Sequence, residues 1–398
     1  MPGANLVAFW LLGLCNNFAY VIMLSAAKDI LEKGGGEHEE GHCNTTITHR
    51  DCAPLSTGSV LLADIVPSLL IKLIAPFALH SLPFDIRHFV VVSLQAASFI
   101  LVAVSESAGM ALSGVVLASL GSGLGEVSYL SLSSHFPAEV VTAWSSGTGG
   151  AGVFGAFAYA ALTDASMAAL SPKQALLAML VVPVIFVYSF WWLLRSPRSV
   201  HRVKILDPRT SSTPAASHRD EEEEEEGSDD RPLIDGEEGR EGGHFDFSSL
   251  SPSEKMGVVR PLFAYMLPLV VVYFAEYFIN QGLLELIVFD CSHGFGLAPT
   301  AQYRWFQIGV FISRTLGGMV GWLPPVAVLA VAAVVVLYEG LLGGSAYVHT
   351  FRSMHLKVPA DRREFALGFV SISDTAGILA AGVGAIPTHN AICAMPLY

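Results

Sequence analysis

Charged residues are scarce in this chain. Of its 398 residues, 14% are Asp, Glu, Lys or Arg, whereas 52% are hydrophobic. Soluble globular domains usually carry about 25% charged residues, so this composition argues against a soluble globular protein. The chain also lacks a glycine-rich phosphate loop, a G-x-S-x-G elbow and clustered His/Cys spacing, the marks of nucleotide-binding proteins, hydrolases and zinc proteins. We therefore expect no catalytic residue, cofactor, metal or nucleic-acid partner.

Long apolar runs take the place of charge. A helix that crosses a hydrocarbon core about 30 Å thick needs about 20 such residues, and no run alternates like a β-barrel strand. The first run is too long for a signal peptide and follows no basic segment, so we expect a retained helix. We predict an all-α polytopic membrane protein with about ten spans. The predicted spans are 5–31, 57–80, 88–105, 109–134, 144–163, 174–194, 261–289, 303–322, 324–348 and 364–388.

One acidic segment, 195–260, interrupts these runs. Between Asp207 and Glu254 it holds 16 of the 35 acids in the chain, including the run Glu221–Glu226. Such a composition cannot bury a core, which predicts a disordered loop. This loop divides the chain into an N-terminal six-helix bundle, 1–194, and a C-terminal helix bundle, 261–398.

Basic residues flank the acidic loop at both ends. Four of them follow the sixth span between residues 195 and 204, and Lys255 and Arg260 precede the seventh. An excess of Lys and Arg beside the ends of spans marks the cytoplasmic side. The loop and, by even parity, the N-terminus are therefore expected in the cytoplasm.

The loop between the first two spans should then face the lumen. It contains a glycosylation sequon at Asn44, which is used only on that side. Cys43 and Cys52 lie in the same loop, and Cys291 follows the seventh span on the same side. An oxidising lumen permits one disulfide among these three cysteines. Cys43 and Cys52 would close the shortest loop, but the spacing leaves the pairing open.

Short sequence echoes relate the two halves. Phe-Ala occurs at 18–19 and 274–275, Gly-x-x-x-Tyr at 125–129 and 343–347, and Ser-x-Thr-x-Gly at 146–150 and 373–377. Repeated halves are typical of major-facilitator transporters, whose sites lie between the halves. We predict this two-bundle transporter fold.

Longer motifs resemble the battenin family of lysosomal membrane proteins. The similar segments are residues 9–31, VLLADIVPSLLIKLIAP (60–76), SGLGEVSYLSL (122–132), WSSGTGGAG (144–152), 268–286, QYRWFQ (302–307), LYEGLLGGSAYVHTF (337–351) and 363–378. They extend over nearly all of the membrane part. The resemblance implies a major-facilitator-like fold in late endosomes and lysosomes. It also implies a role in clearing glycerophosphodiesters from the lysosome, with effects on lysosomal pH and autophagy.

Three features depart from the family pattern. The chain begins almost within its first span, where relatives have a cytoplasmic tail. After Arg314 the sequence runs directly into Leu-Pro-Pro at 323–325, where the family has a further span. Ten spans would put the basic residues between 352 and 363 in the lumen, whereas an eleventh would return them to the cytoplasm. Five residues follow Cys393, so the terminal spacing of a prenylation box is absent.

The seventh span carries polar groups at a depth where they are unfavourable. An ionisable group near the bilayer centre costs about 2.5 kcal/mol or more on insertion scales, so it usually marks a pathway or a binding site. Glu276 and Asn280 share one helical face near mid-depth with Tyr273 and Tyr277. We predict that this face lines the cavity. The alternative for Glu276 is a structural hydrogen bond between helices.

Other ionisable residues lie within the predicted spans. A transported phosphodiester would need a fixed cation, and Lys72 and Arg314 are the two deep candidates. Alternatively, both cations pair with acids and hold the bundle together. Buried acids could also exchange protons near lysosomal pH, and Glu126, Glu276 and Asp374 are candidates. The predicted substrate or proton pathway comprises Lys72, Glu126, Glu276, Asn280, Arg314, Glu339 and Asp374.

Two other function classes stay open at this stage. A membrane scaffold for endolysosomal trafficking would move no solute, and it would have no reason to bear the cost of mid-depth polar groups. An intramembrane enzyme acting on membrane lipids would use the same acids. Transport of glycerophosphodiesters is the favoured prediction.

The acidic loop also contains a sorting pattern. Asp229 stands four residues before the pair Leu233 and Ile234, which is the spacing of an acidic dileucine signal. An extended, cytoplasmic segment is what clathrin-adaptor sorting machinery binds. We therefore expect the protein in lysosomal and late endosomal membranes.

Replacing Leu233 and Ile234 with alanine should move the protein toward the plasma membrane, because the adaptor would lose its apolar anchor. Fluorescence co-localisation with a lysosomal marker measures this shift. The pair Ile205 and Leu206 lies in the same loop without an acid four residues before it. Replacing Ile205 and Leu206 with alanine is the matched control and should leave the location unchanged. Unchanged location of the Leu233/Ile234 variant would contradict the sorting motif.

Overall fold

The computed structural model describes residues 2–27, 57–78, 82–164, 167–195, 259–280 and 327–395, with positions 29, 197, 257 and 286. Every regular element in these ranges is helical, which confirms the all-α class. The N-terminal half contains α1 (Pro2–Ser25), α2 (Thr57–Ala78), α3 (Phe84–Val104), α4 (Ala108–Ser133), α5 (Glu139–Thr163), α6 (Pro172–Ala178), α7 (Val181–Tyr188) and a π-helical turn, Ser189–Leu193. The C-terminal half contains a 3₁₀ turn (Arg260–Leu262), α8 (Phe263–Asn280), α9 (Ala327–Lys357), α10 (Ala360–Val370) and α11 (Ile372–Cys393).

Seven segments among the described residues are long and apolar enough to cross a membrane. They are Gly3–Ser25, Ser59–Pro76, Phe84–Val104, Ala108–Ser133, Pro172–Leu193, Arg260–Asn280 and Arg362–Cys393. Each corresponds to one predicted span. Helix α5 occupies the predicted span 144–163, and α9 covers most of 324–348. The predicted span 303–322 lies outside the described residues. The chain is thus a multi-pass membrane protein.

Glycines allow a close contact between helices α1 and α5. A Cβ added at Gly13 would collide with the backbone carbonyl of Trp144, and one at Gly147 would collide with that of Trp10. Farther along, a Cβ at Gly155 would press on the side chain of Val21. The two backbones therefore run side by side and in the same direction, at a separation that only small residues permit.

The start of the chain and the end of the sixth span meet at one end of the bundle. The Nδ2 group of Asn5 donates a hydrogen bond to the Arg195 carbonyl (3.1 Å), and the Arg195 amide donates to Oδ1 of Asn5 (2.9 Å). Phe9 and Phe136 pack edge to face at this end, with ring centroids 5.0 Å apart. Six crossings of the membrane would place the start of the chain and the acidic loop on the same side. The contact between Asn5 and Arg195 agrees with this arrangement.

The basic residues near the end of α9 lie at this same end. The Nε2 atom of His355 lies 3.2 Å from the carbonyl of Ser133, the last residue of α4, and Nε2 of His135 lies 3.7 Å from the Glu364 carboxylate. Lys357 and Arg362 lie between His355 and Glu364 in the chain. A strict count of ten spans would have placed them at the opposite end. The described helices agree instead with the distribution of positive charge.

The close approach of α1 and α5 generates a test of the fold. Gly147→Ala should lower the melting temperature of the purified protein, because overpacking of a filled contact costs about 1–3 kcal/mol. Gly109→Ala is the matched control, since a Cβ there meets no atom within 4 Å. Equal melting temperatures for the two variants would contradict the proposed tight contact.

Candidate functional site

A polar cavity of about 320 Å³ lies between the two halves. Helices α1, α2, α4 and α5 line it from the N-terminal half, and α8, α9 and α11 line it from the C-terminal half. Nine of the lining residues are serines or threonines, each with a hydroxyl group: Ser68, Ser119, Ser122, Thr142, Ser145, Ser146, Thr148, Ser345 and Thr375. The rings of Tyr20, Tyr273, Tyr277 and Tyr347 also line the cavity, together with Asn17 and the apolar side chains of Ile65, Val348 and Ile378. Such a wall suits a solute that is both polar and small.

Lys72 joins the two halves at this cavity. Its side chain is buried, and its Nζ lies 2.8 Å from Oε2 of Glu126 and 3.1 Å from Oδ1 of Asp374. The same ammonium donates to the hydroxyl of Thr375 (2.7 Å) and to the carbonyl of Ser371 (2.9 Å). Glu126 lies on α4 and Asp374 on α11, so one cation links both bundles.

Tyr347 extends this ion cluster into α9. Its hydroxyl donates a hydrogen bond of 2.7 Å to Oε1 of Glu126 and accepts one of 3.5 Å from the indole N–H of Trp144. Both carboxylate oxygens of Glu126 are therefore engaged. This chain of contacts crosses the interface between the halves a second time, because Trp144 lies on α5.

The cavity wall carries more acid than base. Among the described lining residues, three carboxylates (Asp64, Glu126 and Asp374) accompany one lysine, Lys72, and one histidine, His349. Lys72 is committed to Glu126 and Asp374. A second anionic group near Lys72 would therefore meet net negative charge unless a carboxylate took up a proton.

Local sequence explains why these groups meet. Asp64, Ser68 and Lys72 recur every four residues on α2, so they form one stripe along the helix. A Cβ at Gly123 of α4 would come within 2.7 Å of the Ser68 hydroxyl. The glycine thus allows α4 to approach α2 closely enough for Glu126 to reach Lys72.

A serine from α4 enters the backbone of α2 beside this stripe. The Ser68 amide donates to the hydroxyl of Ser119 (2.9 Å), and that hydroxyl donates to the backbone carbonyl of Asp64. In a regular helix the amide of residue 68 would bond directly to the carbonyl of residue 64. Pro67, which has no amide hydrogen, also lies within α2. Inserted side chains and prolines are known causes of local helix distortion.

Helix α8 faces the cavity differently from the sequence prediction. Tyr273 and Tyr277 line the wall, but Glu276 and Asn280 are buried and do not. The Glu276 carboxylate points toward α9, where a Cβ at Gly343 would collide with its Oε2. Residue 276 lies about 60° around the helix from residue 273, which is enough to turn it from the cavity toward the neighbouring helix. This geometry corresponds to the alternative that placed Glu276 between helices.

The other predicted site residues fall in two groups. Glu339 lies within α9, and its side chain is outside the description. Outside the described residues altogether are Asn44, Cys43, Cys52, Cys291, Arg314 and the sorting residues Asp229, Leu233 and Ile234. Among the described residues, no three His, Cys, Asp or Glu side chains form a group that could hold a metal ion.

Sequence reasoning missed Asp64. Asp64 and Lys72 are eight residues apart on one helix, about 12 Å along its axis, which is too far for a direct ion pair, and the predicted pathway omits Asp64. The spacing of Asp64, Ser68 and Lys72 was the signal that could have identified a polar, cavity-facing stripe. The hydroxyl-rich wall was also missed, because isolated serines in apolar helices have many other uses.

Comparison with known proteins identifies the family. A family model described as CLN3 protein matches residues 7–331 and 319–395. The chain belongs to the CLN3 protein family. Battenin of the dog is 43% identical over 98% of the chain and 91% of the relative, and protein btn-1 of Neurospora crassa is 35% identical over 95% and 86%. The two parts of the family match meet near residues 319–331, where the sequence predicts a missing span.

Solved transporter structures share the fold of this CLN3 family member. The human organic anion transporter MFSD10 superposes with a TM-score of 0.56 at 12% identity, covering 98% of this chain and 94% of that one. An inward-facing bacterial homologue of the lysosomal transporter Spinster gives a TM-score of 0.52 at 13% identity, covering 97% and 82%. The major-facilitator-like fold predicted from the sequence is confirmed.

The ion cluster predicts a large effect of removing its cation. Lys72→Met should lower the melting temperature of the purified protein strongly, because breaking a buried ion pair costs about 3–5 kcal/mol. Adding Glu126→Gln and Asp374→Asn to Lys72→Met should restore most of the loss, since no unpaired charge then remains.

The exposed Lys173 at the start of α6 supplies the control, and Lys173→Met should leave the melting temperature unchanged. A small effect of Lys72→Met, similar to that control, would show that the cluster does not hold the two halves together.

Proposed function

We propose that this protein is a transporter of late endosomal and lysosomal membranes that is needed for lysosomal clearance of glycerophosphodiesters, and for lysosomal pH and autophagy homeostasis. The observation that carries the proposal is the polar cavity between the two bundles, crossed by the ion cluster of Lys72, Glu126 and Asp374. The CLN3 family and the transporter fold support it. An anchor that moved nothing would have no need of buried charge at this interface.

Alternating access follows from where the cluster lies. In major-facilitator-like proteins one bundle rocks against the other around a central site. Here the contacts of Lys72 with Asp374, Ser371 and Thr375 join α2 to α11. Rocking must weaken these contacts on one side of the cavity. A solute that interacts with the groups released from Lys72 would lower the free energy needed for the bundles to rock.

A proton is the natural partner of this step. Lys72 is held by two carboxylates, so the cluster is negative when all three groups are ionised. Protonation of Glu126 or Asp374 would remove the excess charge and leave one ion pair. Coupling of solute movement to proton uptake in an acidic compartment is therefore part of the proposal.

The solute class is proposed from the family resemblance and the chemistry of the wall. A glycerophosphodiester carries hydroxyl groups and one phosphate, which hydroxyl side chains and His349 can bind through hydrogen bonds. The similar structures include a human organic anion transporter, a bacterial homologue of a lysosomal transporter and a peptide transporter of the POT family. The fold is thus one that transports small organic solutes, which supports a solute of this size and chemistry.

The proposed location depends on the acidic loop. Adaptor binding to Asp229, Leu233 and Ile234 would direct the protein to endolysosomal membranes, with the N-terminus and the loop in the cytoplasm. The meeting of Asn5 with Arg195 at one end of the bundle supports a common side for both. Membrane lipids would surround the exposed apolar faces.

Uptake into liposomes that contain only this protein tests the transport proposal. Labelled glycerophosphodiester should accumulate faster with an imposed pH gradient than without it. Glu126→Gln should remove the dependence on the gradient, because it removes one exchangeable proton from the cluster.

Equal wild-type rates with and without the gradient would remove proton coupling but leave transport. Absence of any solute movement would favour the trafficking scaffold instead. Formation of a chemical product from lipid by the purified protein would favour an intramembrane enzyme.

A further inference from the structure

Asp64 is a buried acid that the ion cluster does not use. The residue is 5% exposed, and its Oδ1 has no hydrogen-bond partner among the described residues. Its side chain nevertheless lines the cavity between the halves. Burying an ionised carboxylate without a partner is strongly unfavourable, so such a group either takes up a proton or pairs with a positive group or donor of a bound molecule.

The cation nearest along the helix cannot serve this purpose. Lys72 is eight residues away on α2, which corresponds to about 12 Å along the axis. Its ammonium is already surrounded by Glu126, Asp374, Thr375 and Ser371 at 2.7–3.1 Å. The ammonium of Lys72 therefore forms no direct ion pair with Asp64.

Aromatic rings accompany Asp64 in the cavity wall. Tyr20, Tyr273 and Tyr277 line the same space, and the rings of Tyr273 and Tyr277 are stacked with centroids 6.2 Å apart. The faces of aromatic rings attract ammonium groups, and quaternary ammonium ions are commonly recognised by such faces. A carboxylate with several tyrosines is thus the chemistry of an ammonium site.

The helix backbone fixes this acid in place. Ser119 holds the carbonyl of Asp64 and the amide of Ser68, so the position of residue 64 is set by α4 as well as by α2. A residue anchored in this way can present its carboxylate with little loss of conformational freedom on binding.

We propose that Asp64 binds the ammonium group of a zwitterionic solute, such as a glycerophosphodiester with a choline or ethanolamine head. The inference rests on the proposed function and specifies which members of the solute class are preferred. The ammonium neutralises Asp64, while the phosphate and glycerol contact the hydroxyl-rich wall. Esters with neutral heads, such as glycerophosphoglycerol, lack the first interaction.

Binding to the purified full-length protein in detergent tests this preference. Titration calorimetry with glycerophosphocholine and glycerophosphoglycerol should show tighter binding of the choline ester by the wild type. Asp64→Asn should weaken binding of the choline ester by about tenfold or more, because a buried charge pair is lost. The same variant should leave binding of the glycerol ester unchanged, and Asp64→Glu should retain the preference.

Two controls separate a specific effect from misfolding. Asp85→Asn changes a buried acid on α3 that does not line the cavity and that accepts a hydrogen bond from Trp191, a bond an amide oxygen can keep. It should bind both esters as the wild type does. Melting temperatures of all variants check folding.

Equal affinity of the wild type for the two esters, or an equal loss for both in Asp64→Asn, would overturn the ammonium site. Uptake into liposomes is measured in parallel. Uptake of both esters without preference would leave the transport proposal standing and remove this inference. If the binding preference is retained but neither ester is taken up, the ammonium site stands and the transport proposal falls.

Discussion

Desolvation of Lys72 is the constraint on which the arrangement of the two halves depends. An ammonium removed from water is tolerated only where several groups replace its hydration shell. The N-terminal half supplies one of these groups, the Glu126 carboxylate, and the C-terminal half supplies the other three. Neither half alone could keep this cation buried. The interface is therefore specified by electrostatics as much as by apolar contact, which lipid tails would provide equally well.

Small residues make that electrostatic arrangement geometrically possible. Gly123 lets α4 reach α2, and Gly343 leaves room beside α9 for the carboxylate of Glu276. At Gly13 and Gly147, between α1 and α5, the backbone of one helix instead meets the backbone of the other. Gly377 of α11 meets the backbone carbonyl of Val270 in the same way within the C-terminal half, whereas side chains form the ion cluster between the halves. This difference is what a protein with two moving bundles requires.

Much of the fold could be predicted from the sequence, because membrane spans depend on length and hydropathy alone. The chemistry of the site could be predicted only in part. Lys72, Glu126 and Asp374 stood out as ionisable residues in apolar helices, but their distances depend on how distant segments pack. Glu276 was assigned to the cavity from helical periodicity, which defines faces but not which neighbour each face meets. The separation of Asp64 from Lys72 along one helix does not show which groups face the cavity, so the sequence did not assign Asp64 to it.

The bridge that Ser119 forms between Asp64 and Ser68 has a consequence for how motion can be observed. The Ser68 amide is protected from solvent by a side chain of another helix, not by its own helix alone. Its hydrogen–deuterium exchange rate therefore responds to the separation of α2 from α4 as well as to local unfolding of α2. If the N-terminal bundle moves as one body, this amide stays protected while the interface between halves opens. Exchange at the Ser68 amide thus distinguishes a bundle that moves as one body from a bundle whose helices separate.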